Sequence, residues 1–142
     1  METWAKETAE RLRNEDMTRR IEGNQFLEKQ QARRALGPKM FADVREFLKQ
    51  NYKDLNKEMG KDILLSEVRP QSEAIIRRLD KPRILHVHFD EDSGTVRYSC
   101  GAVEGVYLIS IQPDLTAFFE TLDHIPHTAK EIAKFLLKVL MR

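Results

Sequence analysis

Two histidines separated by one residue, His86 and His88, have the types and spacing that most suggest chemistry in this sequence. Residues two apart on a β-strand point to the same face, so both imidazoles could ligate one metal ion or contact one small molecule. His124 and His127 could supply further ligands if the end of the chain that contains them folds over the same face. The alternative is an ordinary polar strand face, because two solvent-facing histidines need no ligand.

Two other stretches have both a chemical and a structural interpretation. Cys100 could be an activated nucleophile beside a histidine, but no recognised local signature surrounds it, and a small buried apolar residue is the simpler interpretation. Residues 90–94, Asp-Glu-Asp-Ser-Gly, lack the length and the glutamate of a calcium loop and predict a hairpin turn. Phosphate-binding glycine loops and the G-x-S-x-G and H-E-x-x-H motifs are absent. The sequence therefore favours a non-catalytic protein and predicts no cofactor.

The near balance of charge limits the partners that this chain can attract. There are 24 Lys and Arg residues against 23 Asp and Glu residues, a formal net charge of +1, so the chain has no overall field toward phosphate. The basic pairs at 19–20 and 33–34 are interleaved with acidic residues, which weakens a local patch. Nucleic acid is therefore disfavoured as a partner, and a protein partner or a second copy of the chain is favoured.

Two features bear on the location of the protein. No window approaches about 18 uncharged apolar residues, and the charged N-terminus does not resemble a secretory signal, so we expect no membrane association. Cys100 is the single cysteine, which excludes an intramolecular disulfide and favours a reducing compartment. We therefore expect a cytoplasmic protein.

The stretch 83–112 predicts three strands of an antiparallel meander, and the first of them carries His86 and His88. On the first two strands apolar residues alternate with polar ones, as a half-buried strand requires. Shorter apolar runs at 62–68, 73–79 and 116–122 predict further strands, although the last two are also compatible with short helices. The alternating apolar residues are Leu85, Val87 and Phe89, then Val96, Tyr98 and Cys100.

Helical patterns flank the predicted strands on both sides. Glu2 to Leu36 is rich in good helix formers and in opposite charges four residues apart, and Pro38 to Met59 has apolar residues at spacings of three and four. Gly37 followed by Pro38 predicts a break between these two helices, because glycine suits the position after a helix and proline suits the first turn of the next. Near the C-terminus, Thr128 with Glu131 predicts a capping box that begins an amphipathic helix.

These elements predict an α+β fold. It would contain N-terminal helices, an antiparallel meander sheet of about five or six strands, and a C-terminal amphipathic helix packed on the sheet, because a sheet with one apolar face must be covered. We expect residues 1–37 to form a charged helical extension and residues 38–142 to form a single α+β domain.

The apolar residues of the first helix form a stripe too thin for a buried helix, and the apolar face of the last helix is wider than one contact requires. Both features predict a non-catalytic interaction or assembly module. The alternative is a small-molecule or metal-binding domain, with or without catalytic activity, that has a pocket near His86 and His88. The predicted partner-binding residues are Trp4, Leu12, Met17, Ile21, Leu27, Leu137 and Met141.

Overall fold

A long N-terminal helix is followed by a seven-stranded antiparallel sheet and a short C-terminal helix. The structure, a computed structural model, describes residues 2–142. The first helix, α1, spans Glu2–Met59, and the last helix, α2, spans Ala129–Leu140. This arrangement confirms the predicted α+β class, with more strands than the five or six expected. The strands are β1 Leu64–Ser66, β2 Glu73–Arg78, β3 Ile84–Asp90, β4 Thr95–Cys100, β5 Val103–Ile111, β6 Ala117–Glu120 and β7 Pro126–His127.

The sheet is a meander in which every strand pairs with its neighbours in the sequence, in the order β1 to β7. The runs at 62–68, 73–79 and 116–122 all contain strands, as predicted. In the β3–β4 pair, His86 lies opposite Ser99 and His88 lies opposite Arg97. Because side chains alternate between the two faces of a strand, these four residues share one face of the sheet.

The other face of the sheet carries the hydrophobic core, and both helices cover it. Leu85 and Val87 of β3 and Val96 of β4 are fully buried there against the C-terminal half of α1 and against α2. Phe41 of α1 stacks on Phe89 of β3 with ring centroids 5.4 Å apart. Burial of each such large apolar side chain contributes about 1.5–3 kcal/mol to folding, so this layer of contacts holds the helices on the sheet.

The predicted break between two N-terminal helices is wrong, because α1 continues through Gly37 and Pro38. Gly37 is buried, and a Cβ atom there would lie 2.8 Å from Cζ of Phe89 and 3.5 Å from Cδ1 of Ile109. The glycine therefore allows the helix to approach the sheet closely, and it does not end the helix. Pro38 lies on the exposed side, where water can hydrate the carbonyl of Arg34 that lacks its usual N–H donor.

The predicted capping box at the start of α2 is present. The Thr128 side-chain oxygen accepts a hydrogen bond from the Glu131 backbone N–H at 3.2 Å, and a Glu131 carboxylate oxygen accepts one from the Thr128 N–H at 3.0 Å. These bonds satisfy donors that every helix N-terminus leaves free, and they lower the pKa of Glu131. The cap sets the point at which α2 leaves β7 and crosses the sheet.

Candidate functional site

The N-terminal part of α1 extends away from the rest of the chain. Between residues 3 and 28 every residue is exposed except Thr8 and Ala9, which are partly covered. Contacts with the domain begin farther along the helix, where Ala32 and Leu36 pack against the core and Arg33 donates a hydrogen bond to the carbonyl of Ile109. We call residues 3–28 the projecting segment. At about 1.5 Å per residue it is roughly 40 Å long.

Six large apolar side chains on the projecting segment are each more than half exposed to solvent. Five of them were predicted as partner-binding residues, and the structure leaves all five uncovered. Phe26 was missed, although it follows Leu12 by fourteen residues and lies near the same side of the helix. An aromatic side chain in a segment without a buried face was the signal that could have found it. The six residues are Trp4, Leu12, Met17, Ile21, Phe26 and Leu27.

The charges of α1 are distributed unevenly along its first half. Residues 2–16 contain five acidic and three basic side chains, whereas residues 17–34 contain five basic and two acidic ones. Two ion pairs link side chains four residues apart on the helix surface, Asp16 with Arg20 at 3.2 Å and Arg11 with Glu15 at 4.0 Å. Such exposed pairs contribute only about 0.3–0.5 kcal/mol each, so most of these charges remain free to interact with a partner.

The prediction that Leu137 and Met141 bind a partner needs a correction. Leu137 is only 7% exposed and belongs to the core, and Met141 is partly buried against it. The apolar face of α2 is wide because the helix contacts two elements of its own chain, the sheet and α1. The second surface predicted for this helix is therefore α1, and Leu137 is not available to a partner.

The face of the sheet that the helices leave uncovered, which we call the open face, carries His86 and His88. Together with Arg97 and Ser99 they border a shallow depression of about 410 Å³. The Nδ1 atom of His88 lies 3.9 Å from a carboxylate oxygen of Glu73 on the neighbouring strand. Glu104 also lines the depression, which therefore offers imidazole, guanidinium, hydroxyl and carboxylate groups to a small polar molecule.

The structure does not bring the two histidine pairs together. His127 lies on β7, on the helix-covered side of the sheet against the ring of Tyr107, whereas His86 and His88 point to the open face. Four strand spacings, roughly 19 Å along the sheet, separate β3 from β7. His124 lies in the turn before β7 and contacts Glu120 at 3.3 Å. Among the described residues, no three His, Cys, Asp or Glu side chains are grouped so that they could hold a metal ion.

A second cleft, of about 640 Å³, lies between α2 and the β6–β7 hairpin. Four rings form a continuous row along it. Tyr98 contacts Phe135 at 5.9 Å and Tyr107 at 5.8 Å, and Tyr107 contacts His127 at 5.9 Å, all measured between ring centroids. Lys134 and Lys138 stand at its rim, one helical turn apart on α2. We call this feature the aromatic cleft.

Burial changes the ionisation of the two phenols in the aromatic cleft. Desolvation raises the pKa of Tyr98, and desolvation together with the nearby Tyr98 raises the pKa of Tyr107 to about 12. Both hydroxyls are protonated at neutral pH, as ordinary phenols are, and can donate hydrogen bonds. His127 at the end of the row lies 3.8 Å from a carboxylate oxygen of Glu131.

Cys100 is a buried residue of the core, as the simpler interpretation predicted. The guanidinium of Arg83 donates a hydrogen bond to its sulfur at 3.6 Å. The Asp90–Gly94 stretch forms the β3–β4 turn, with Gly94 at a positive φ of 64°. Asp90 accepts hydrogen bonds from the backbone of Asp92 and Ser93, which is the local bonding of a turn.

Comparisons with known proteins found no matching family model, no matching curated protein and no matching solved structure. Within the described residues, no helix combines the length and the apolar composition that crossing a membrane requires. The geometry of the chain itself is therefore the basis for a proposal about its function.

Proposed function

We propose that this protein is an assembly module in which the projecting segment of α1 pairs with the same segment of a second copy. The observation that carries the proposal is the exposure of six large apolar side chains on the projecting segment, which is exposed along almost its whole length: Trp4, Leu12, Met17, Ile21, Phe26 and Leu27. Helices gain most of their stability from packing an apolar face on another element. A second helix would supply that packing here.

Burial of the exposed apolar side chains would drive the pairing. Each large apolar side chain that becomes fully buried contributes about 1.5–3 kcal/mol. The six side chains are distributed around the helix, so one partner helix would bury the subset that faces it. The projecting segment continues without interruption into the part of α1 that packs on the sheet. Its attachment to a folded domain keeps the helix oriented before it binds, which reduces the entropy cost of association.

The charge distribution supports an antiparallel arrangement. Residues 2–16 of α1 are acidic on balance, and residues 17–34 are basic on balance because of Lys29, Arg33 and Arg34, which directly follow the projecting segment. An antiparallel pair sets the acidic half of one copy against the basic half of the other, whereas a parallel pair sets like charges side by side. We therefore propose a dimer whose two domains lie at opposite ends of a paired-helix connection.

Gly23 allows a test that removes no side chain. An added Cβ atom there would meet no described atom within 4 Å, so Gly23→Ala fits, whereas Gly23→Pro removes a helix donor and costs about 3 kcal/mol or more of helix stability. We expect light scattering to find a dimer for the natural chain and for Gly23→Ala, and a monomer for Gly23→Pro, with the domain melting unchanged. Equal masses for all three proteins would contradict the proposal.

Ligand binding on the open face is a second candidate function, because His86, His88, Arg97 and Ser99 border one depression. A small anion would suit the guanidinium and the imidazoles. The test compares phosphate titration and zinc content for the natural chain and for the His86→Ala/His88→Ala variant. Unchanged phosphate affinity and metal content in the variant would exclude this function.

The proposal includes a cytoplasmic location. Cys100 is the single cysteine and is buried as a free thiol, which is compatible with a reducing compartment. Localisation of a tagged full chain by cell fractionation would test it, and recovery of the protein outside the cytoplasmic fraction would count against this part of the proposal.

A further inference from the structure

We propose that the aromatic cleft is a binding site for a small aromatic carboxylate. This inference is independent of assembly through α1. The cleft lies between α2 and the β6–β7 hairpin, on the helix-covered side of the sheet and away from the projecting segment. Its volume of about 640 Å³ is in the range of small-molecule sites in proteins.

The row of rings in the cleft supplies the apolar part of the site. Phe135 meets Tyr98 edge to face, and His127 meets Tyr107 in the same way, with interplanar angles of 80° and 81°. Edge-to-face and offset contacts are the arrangements that aromatic rings prefer, and a ligand ring can extend the row in the same manner. The site therefore favours a planar aromatic group over an aliphatic one.

Gly105 holds Tyr98 in the position that shapes the cleft. These residues lie directly opposite each other on β4 and β5, and a Cβ atom at residue 105 would be 2.3 Å from the Tyr98 hydroxyl oxygen and 2.5 Å from Cζ. Any side chain at residue 105 would displace the ring. The Tyr98 ring thus lies across the backbone of β5, with its hydroxyl beside the cleft.

Two lysines at the rim supply the charge that a carboxylate requires. Lys134 and Lys138 are exposed, and neither takes part in an ion pair among the described residues. Two acidic side chains also line the cleft. Glu131 accepts the bond from the Thr128 N–H and lies beside His127, and Asp123 lies in the turn of the β6–β7 hairpin.

The two phenols add neutral donors to the lining of the cleft. Like ordinary phenols, Tyr98 and Tyr107 are protonated at neutral pH, so they can donate to a ligand oxygen. A carboxylate that accepts bonds from ammonium groups while its ring contacts Phe135 would use both parts of the site. An aromatic amide would keep the ring contacts and lose the charge-assisted bonds.

The experiment titrates the full chain with benzoate, with benzamide and with acetate, and follows amide resonances by two-dimensional NMR. We expect benzoate to bind with a dissociation constant on the order of 1 mM, as its size allows, and to shift resonances of Gly105, Tyr107 and Phe135. Benzamide lacks the charge and acetate lacks the ring, so each should bind about tenfold more weakly or worse.

Two double lysine variants distinguish binding of benzoate at the cleft from a general effect of the charge of the protein. Lys134→Gln/Lys138→Gln should weaken benzoate binding by about tenfold or more and leave benzamide binding unchanged. Lys53→Gln/Lys57→Gln removes the same charge from exposed positions of α1 and should change neither. All four lysines are exposed, so both variants should fold and give the native NMR spectrum.

Three results would overturn the proposal. The first is the absence of saturable benzoate shifts at the cleft in the natural chain. The second is an equal affinity for benzoate and benzamide, and the third is an equal loss of benzoate binding in both lysine variants. Tyr98→Phe keeps the ring and removes its hydroxyl, so a modest loss of affinity with unchanged melting would support the role of the phenol.

Discussion

At the scale of single residues, some side chains make stabilising contacts that sequence patterns do not reveal. The amide of Asn56, near the end of α1, acts as a partner for the edge strand β1. Its oxygen accepts from the N–H groups of Ile63 and Leu64 at 2.9 and 3.0 Å, and its nitrogen donates to the carbonyl of Leu64 at 2.9 Å. One side chain therefore satisfies three backbone groups and ties the helix to the sheet.

We expect Asn56→Ala to destabilise the domain by about 1–3 kcal/mol, because it leaves partly buried backbone groups without partners. Urea unfolding followed by circular dichroism would measure the change through the transition midpoint. Gln50→Ala, at an exposed position of the same helix, is the control and should have little effect. A loss in Asn56→Ala no larger than in the control would contradict this role.

Tyr107 predicts a pH dependence of stability at alkaline pH. Burial raises the pKa of Tyr107 in the folded chain to about 12, above the ordinary value of about 10, so between these values the unfolded chain loses the proton while the folded chain keeps it. The stabilisation is complete below about pH 10 and is lost as the pH rises toward 12, with a decrease of about 2 kcal/mol. Urea unfolding at several pH values would measure it.

Tyr107→Phe is the control for this pH dependence, because it keeps the ring and removes the titrating group. The variant should lose most of the decrease in this pH range. The raised pKa of Tyr98 acts in the same direction, so a smaller decrease should remain. An identical alkaline profile in the variant and the natural chain would show that Tyr107 does not cause it.

At the scale of elements, packing decides where α1 ends. Glycine and proline in succession favour the end of a helix, yet Gly37 contacts Phe89 closely and Pro38 lies on the exposed side of a continuous helix. Apolar residues on both sides of the pair, the partly buried Leu36 and the buried Phe41, hold the helix against the sheet. Their packing outweighs the local preference for a break.

The two glycines of α1 should respond to alanine with opposite signs. At Gly37 the new Cβ atom would lie 2.8 Å from Phe89, so Gly37→Ala should destabilise the domain by about 1–3 kcal/mol despite the better helix propensity of alanine. At Gly23 no neighbouring atom is within 4 Å, so Gly23→Ala should increase helicity without any cost in packing. Thermal melting and circular dichroism would distinguish the two outcomes.

Pro38→Ala should stabilise α1. It restores a backbone N–H that can bond to the carbonyl of Arg34 and removes the steric conflict of the proline ring with that carbonyl. Greater freedom of the unfolded chain offsets part of the gain, so we expect a net increase of about 1–2 kcal/mol in the free energy of unfolding. Urea unfolding would measure it, and a decrease would mean that proline itself favours the native geometry.

At the scale of the whole molecule, the chain combines a packed domain with a projecting helix that the domain does not stabilise. The proposed dimer would account for the exposed apolar side chains along this helix. The proposal also predicts that the fraction of dimer rises with protein concentration, because the projecting segments can bury their apolar residues only in the pair.

Charge reversal should test the proposed antiparallel pairing. Arg19→Glu/Arg20→Glu makes the segment acidic throughout, and Glu15→Lys/Asp16→Lys makes it more basic, so each variant alone should dimerise more weakly than the natural chain. An equal mixture of both variants should assemble, because their segments then attract each other. Light scattering at low salt would measure the masses, and a mixture that stays monomeric while the natural chain dimerises would exclude charge as the determinant of pairing.

The sequence alone determined the class of the fold and most of its elements. Alternation of apolar and polar residues in 83–112 located the central strands and their two faces, and the Thr128–Glu131 spacing located the start of α2. These patterns are local, because a strand repeats every two residues and a helix every 3.6, so a few neighbouring residues are enough to define them. The exposed apolar residues of the first helix were predicted for the same reason.

Only the tertiary structure decided the features that depend on residues far apart in the chain. In the folded chain α1 continues through Gly37 and Pro38, and the wide apolar face of α2 packs within the domain. His127 lies on the opposite side of the sheet from His86 and His88. The tertiary structure also brings Tyr98, Tyr107, His127 and Phe135 into one row. These contacts follow from strand order and helix placement, which are set by the packing of the whole core and not by any local period.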